Sequence, residues 1–120
     1  MKDQKNADLL RRTKAFALRI IRLSASLPKT READVLGRQV LRSGTSVGAN
    51  YREASRARSR PEFSAKVGDS LKEIAESAYW LDLLFESGII KPVLLSELVK
   101  ECDELTAIFV TIIKKARESA

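Results

Sequence analysis

A chain of 120 residues with a net charge of +6, 44% hydrophobic and 32% charged residues has the make-up of a globular protein with one modest core, not of a disordered segment. The lone Cys102 excludes an internal disulfide framework, and the absence of histidine excludes His-based acid–base chemistry, serine or cysteine triads and Glu-x-x-His metal pairs. No apolar run of about 18 residues occurs and the opening MKDQKNADLLRR lacks a secretory core, so the sequence predicts a cytoplasmic protein without metal or cofactor.

Helix one is expected over residues 6–27, where Leu9, Phe16, Ile20, Leu23 and Leu27 recur at helical spacing, widened by Leu10, Ala17 and Ile21, until Pro28 stops it. Helix two is expected over 31–57, on Leu36, Val40, Gly44, Val47, Tyr51 and Ala54, weakened or kinked near Ser43 to Gly48. Ser59-Arg60-Pro61-Glu62 carries an N-cap, a first-turn proline and an acid three residues after the cap, so helix three starts there and runs over 60–87. Its stripe is Phe63, Val67, Leu71, Ile74, Ala78, Leu81 and Phe85, ended by Ser87-Gly88. Helix four is expected over 92–118 with Leu94, Leu98, Cys102, Leu105, Phe109, Ile112 and Ala116 inward. Short connections make neighbours antiparallel, so the expected fold is all-α: a single-domain, up-down-up-down four-helix bundle spanning 1–120.

Charge is distributed unevenly along these helices. Residues 1–60 hold 15 Lys and Arg against 5 Asp and Glu, whereas residues 61–120 hold 7 against 11. On helix two, Arg38, Arg42, Arg52 and Arg56 fall within roughly 80° of one another at about 100° per residue, opposite the apolar stripe. Arg58 and Arg60 extend the charge into the following turn. Guanidinium groups pair with phosphate oxygens, so such a row suits a nucleic-acid backbone, RNA or DNA. The competing reading is a solvated face whose arginines pair with acids such as Asp69, Glu73, Glu76, Asp82, Asp103 and Glu104 on helices three and four. No zinc-finger spacing, RNP-type aromatic sequence or helix-turn-helix is present, so binding of this kind would be sequence-tolerant and salt-sensitive.

A second apolar face, of Leu18 on helix one and Tyr79, Trp80 and Leu83 on helix three, lies away from the core stripes and points to a homo-oligomer interface. The Ser43-Gly44-Thr45-Ser46-Val47-Gly48 segment lacks the Gly-Lys-Ser/Thr of a phosphate loop, and its small residues fit close helix packing. Asn50 is expected to hydrogen-bond a neighbouring helix or backbone group, and Glu73 and Glu76 are expected to be surface or interface charges.

The segment LRSGTSVGANYREASRARSRPEF, from Leu41 to Phe63, resembles the signature of bacterial four-helix-bundle proteins encoded by intervening sequences of large-subunit (23S) ribosomal RNA genes. Arg42, Ser46-Val47, Asn50, Arg58 and Ser59-Arg60-Pro61-Glu62-Phe63 fill most of that pattern, and the similarity runs from about Leu9 to Ala116. Tyr51-Arg52-Glu53-Ala54-Ser55 departs from the usual Ile-Ala-Glu-Gly, and the turn before Arg58 lacks its glycine. The resemblance implies an antiparallel four-helix bundle, a cyclic homopentamer, and kinship with basic accessory proteins of retroelements that work with a reverse transcriptase and its RNA. Together the two lines lead to a non-catalytic oligomer that binds nucleic acid through its arginines. The alternative is an accessory subunit, for example of a reverse transcriptase, whose basic helix docks an acidic protein surface.

Overall fold

The computed structural model describes residues 2–118, which form four helices: α1 (Lys2–Ala25), α2 (Arg31–Ser55), α3 (Arg60–Glu86) and α4 (Pro92–Glu118). Each packs on its neighbour in the chain and α4 returns to α1, while neither α1 and α3 nor α2 and α4 approach across the diagonal. The result is an antiparallel four-helix bundle of 48 × 21 × 20 Å. Among the described residues there is no strand, and no helix is long and apolar enough to cross a membrane.

Local chemistry sets the helix ends. Thr30 caps α2 by accepting the Ala33 N–H at 3.1 Å, and Ser59 caps α3 by accepting the Glu62 N–H at 3.2 Å. Glu62 reaches back past the cap to accept the Arg58 N–H at 2.7 Å, which ties the turn before α3 to its first turn. Gly88 closes α3 with a φ of 78°, a left-handed turn that an L side chain resists. Helix α1 ends at Ala25, two residues short of Leu27, where the Ser26 hydroxyl donates to the Leu23 carbonyl at 2.8 Å and Pro28 denies Leu27 a helical conformation.

In α2 the neighbours Ser43-Gly44 and Val47-Gly48 are buried together, but elsewhere buried positions step alternately by three and four residues: Leu9, Thr13, Phe16, Ile20 and Leu23 in α1, and Leu95, Leu98, Cys102, Leu105 and Phe109 in α4. That is the seven-residue rhythm of side chains interlocking between nearly parallel rods. In α3 it selects Val67, Ser70, Ile74, Ser77, Leu81 and Leu84, which corrects the expected stripe: Leu84 is inward and Phe85 is exposed. In α4 Leu95 is 2% exposed and Leu94 60%, again one residue round from expectation. The two inward serines of α3 are satisfied toward α2: the Ser77 and Ser43 hydroxyls lie 2.8 Å apart, and Ser70 donates to the Val47 carbonyl at 2.9 Å.

Helix α2 runs unbroken through Ser43–Gly48, where a weakening was expected. Its glycines serve the approach of α1 instead. A Cβ at Gly44 would stand 2.8 Å from Cγ1 of Ile20, and one at Gly48 3.2 Å from Oγ1 of Thr13. Tyr51 is buried with its hydroxyl donating to Asn6 Oδ1 at 2.8 Å and its ring 6.1 Å from that of Phe109. Burial pushes the Tyr51 phenol upward from its ordinary pKa.

Helices α1 and α4 approach each other much less than the sequential pairs do. Arg12 of α1 bridges that seam, donating to Glu101 at 2.6 and 3.1 Å and to Glu104 at 3.0 Å. The hydrogen bond to Glu101, followed by the charges of both acids, raises the Arg12 pKa against the cost of its partial burial. Burial pushes the neighbouring Cys102 thiol up to about 12, with Asp103 and Glu101 adding to the effect, so at neutral pH it packs as a small apolar group.

Candidate functional site

The arginines of α2 fall into two sets. Arg38 and Arg42 occupy its upper half, with Arg38 donating to Asp34 at 2.9 Å one turn back. Arg42 crosses to α3, where Glu73 accepts at 3.4 Å and Glu76 forms a closer ion pair, and it also donates to Gln39 Oε1 at 3.3 and 3.4 Å. Glu76 is held in turn by the indole N–H of Trp80 at 3.1 Å. The competing reading of the stripe therefore holds for this half: both cations have carboxylate partners, and those of Arg42 come from the adjoining helix. Glu73 and Glu76 stand at that α2–α3 interface, half-buried.

The lower set is different. Arg52, Arg56 and Arg58 are exposed, and their guanidinium groups form no salt bridge among the described residues, the Glu62 carboxylate meeting only the backbone N–H of Arg58. Arg52 belongs to the last turn of α2, Arg56 is its C-cap, and Arg58 lies in the turn before α3. The acid between them, Glu53, turns instead to Lys66 of α3 at 3.5 Å. Arg60 is engaged within the protein. The up-down topology also brings the last turns of α4, with exposed Lys114 and Arg117, to this end, together with Lys5 of α1. Sequence reading missed these three because they carry no motif; the antiparallel order of four helices was the signal that could have placed them.

The second apolar face is only partly assembled. Leu18 and Tyr79 are 43% and 55% exposed, on helices that occupy diagonal corners and so face opposite sides of the bundle. Trp80 departs from expectation by packing against the core with its N–H taken by Glu76, since at its position on α3 the indole reaches back over the α2 seam. Leu83 is half-buried. Asn50 also departs from expectation: it is half-buried and its amide has no hydrogen-bond partner among the described residues, the amide–helix contact being made by Asn6 with Tyr51.

Among the described residues no group of three acids, cysteines or histidines is arranged to hold a metal ion. A depression of about 590 Å³ between the end of α1 and the start of α2 is lined by apolar Leu27, Pro28, Ala33 and Leu41 among others, with Lys29 and the paired Asp34 and Arg38 as its charged groups.

The family model described as 23S rRNA-intervening sequence protein matches residues 5–111. A crystal structure at 1.70 Å of a protein of unknown function from the S23 ribosomal protein family of Bacteroides thetaiotaomicron superposes with a TM-score of 0.86 at 36% identity, covering 92% of this chain and 98% of that one. No curated protein sequence matches.

Proposed function

The chain belongs to the family of 23S rRNA-intervening sequence proteins, and on that footing we propose that it binds nucleic-acid backbone without catalysing a reaction. The observation that carries this reading is the exposed trio Arg52, Arg56 and Arg58, whose guanidinium groups form no salt bridge among the described residues. A guanidinium left open to water at a helix end can exchange solvent and counterions for phosphate oxygens without first breaking an ion pair. Arg38 and Arg42 would have to give up Asp34, Glu73 and Glu76, and so contribute less. A cytoplasmic setting, with the Cys102 thiol reduced, accompanies this reading.

Self-association is part of the proposal. Leu18 on α1 and Tyr79 on α3 face opposite sides, so a contact joining them pairs unlike surfaces of two copies and closes into a ring if the rotation between copies permits. A ring repeats each arginine trio, and avidity then raises affinity beyond that of one copy.

The test is a mobility shift on mixed-sequence RNA and DNA. Reversing Arg52, Arg56 and Arg58 to glutamate should abolish binding, while Arg38→Glu should leave most of it. Retained binding by the triple variant, or affinity indifferent to salt, overturns the proposal. If the triple variant instead loses an acidic protein partner while the wild-type chain ignores nucleic acid, the accessory-subunit reading replaces it.

A further inference from the structure

We infer that the polyanion sits across the end of the bundle where α2 and α4 finish, and that it is a single-stranded polynucleotide that follows the curvature of that end. This rests on the nucleic-acid reading above and adds to it a place and a strandedness. Residues 52–66 and 110–118, which meet at this end, carry eight Lys and Arg against three Asp and Glu. Five of these, Arg52, Arg56, Arg58, Lys114 and Arg117, and with them Lys5 of α1, form no salt bridge among the described residues, and the six come from three helices and a turn. Arg52 and Arg117 also offset the negative ends of the α2 and α4 dipoles, but Arg56 and Arg58 lie beyond the last turn of α2, and the N-terminus of α3 adds positive potential beside them.

The long side of the bundle is a poorer seat. A strand laid along α2 past Arg42 meets Glu73 and Glu76 of α3, with exposed Asp69 below them. At the end, by contrast, the open cations are spread around a tip about 20 Å across. A duplex, with a persistence length of about 150 base pairs, touches such a tip tangentially, whereas a single strand bends round it and brings successive phosphates to successive cations. The aromatic rings nearest this end are not open platforms for bases: Tyr51 and Phe109 are buried, and Phe63 packs against the core. Binding there is electrostatic and indifferent to sequence.

The experiment measures fluorescence anisotropy of a labelled, mixed-sequence RNA of about 16 nucleotides, as a single strand and annealed to its complement, over a range of salt. With six phosphate contacts the log–log slope for the single strand should be about −4, and the Lys114→Gln/Arg117→Gln variant should flatten it by about 1.4. Arg38→Gln/Lys72→Gln removes the same net charge from the sides and should leave the slope unchanged. Helical circular dichroism establishes that each variant folds. If the α4 variant keeps the wild-type slope while reversal of Arg52, Arg56 and Arg58 abolishes binding, the end-on seat is wrong and backbone binding stands. An equal loss in the side variant also overturns the seat. Duplex bound as tightly as single strand overturns the strandedness, and a wild-type chain that binds neither removes both readings.

Discussion

Replacing Gly44 and Gly68 by alanine makes the same chemical change in two helices and should have opposite consequences. Each substitution gains about 1 kcal/mol of helix propensity. At Gly68 an added methyl meets nothing within 4 Å, so that gain should appear almost whole, as about 0.5–1 kcal/mol of added stability. At Gly44 the methyl would stand 2.8 and 2.9 Å from the two γ carbons of Ile20 and 3.2 Å from its Cβ. Ile20 is fully buried and, being β-branched in a helix, has essentially one rotamer, so it cannot swing aside and α1 must move away from α2. Overpacking of this kind costs about 1–3 kcal/mol, which sets the same gap between the two variants because their propensity gains cancel. For a chain of this length each kcal/mol corresponds to roughly 3–6 °C in Tm. Urea denaturation followed by far-ultraviolet circular dichroism reads the difference. Equal midpoints for the two variants would refute the claim that close contact, and not local flexibility, is why glycine stands at position 44.

Other expectations follow from the same structure. Ser77→Ala leaves the buried Ser43 hydroxyl with only its long 3.4 Å bond to the Val40 carbonyl and should cost about 0.5–1.5 kcal/mol, with the Ser43→Ala/Ser77→Ala pair losing less than the two singles added, as a double-mutant cycle would show. Cys102 holds its proton up to about 12 when folded against 9.0 ordinarily, so the unfolded chain releases it first: its contribution is whole below pH 9.0 and falls as pH rises toward 12. The stability gap between wild type and Cys102→Ala should therefore narrow across that window, and a constant gap in urea midpoints counts against the burial of the thiol. Leu18→Glu and Tyr79→Glu should each reduce the mass seen by light scattering, and mixing the two should restore one intact contact and give dimers, which a like-with-like interface would not.

Much of this architecture is legible in the residues. The start of α3 follows from Ser59, Pro61 and Glu62, whose capping hydrogen bonds are the expected ones. The inward face was harder to read where apolar residues run consecutively. Leu83-Leu84-Phe85 and Val93-Leu94-Leu95 offer periodicity no basis for choosing among neighbours, and the seven-residue rhythm that decides for Leu84 and Leu95 passes through serines in α3 that no apolar pattern would select. The arginine row on α2 was visible, but its division was not. Whether Arg42 is open depends on Glu73 and Glu76, thirty-odd residues away, lying across the α2–α3 seam, and the cations of α4 join Arg52, Arg56 and Arg58 only through the way the chain folds back.

Three sides of the bundle join helices that a short turn also tethers; the side between the first helix and the last has no such tether. Among the described residues its only ion-pair fastening is one guanidinium shared by two acids, and the sulfur of Cys102 lies behind it. Any excursion that swings α1 away from α4 thus unveils a nucleophile that the closed molecule hides. Alkylation becomes a stopwatch for that breathing, and it should tick faster as added salt slackens the Arg12 clasp while the tethered sides stay shut.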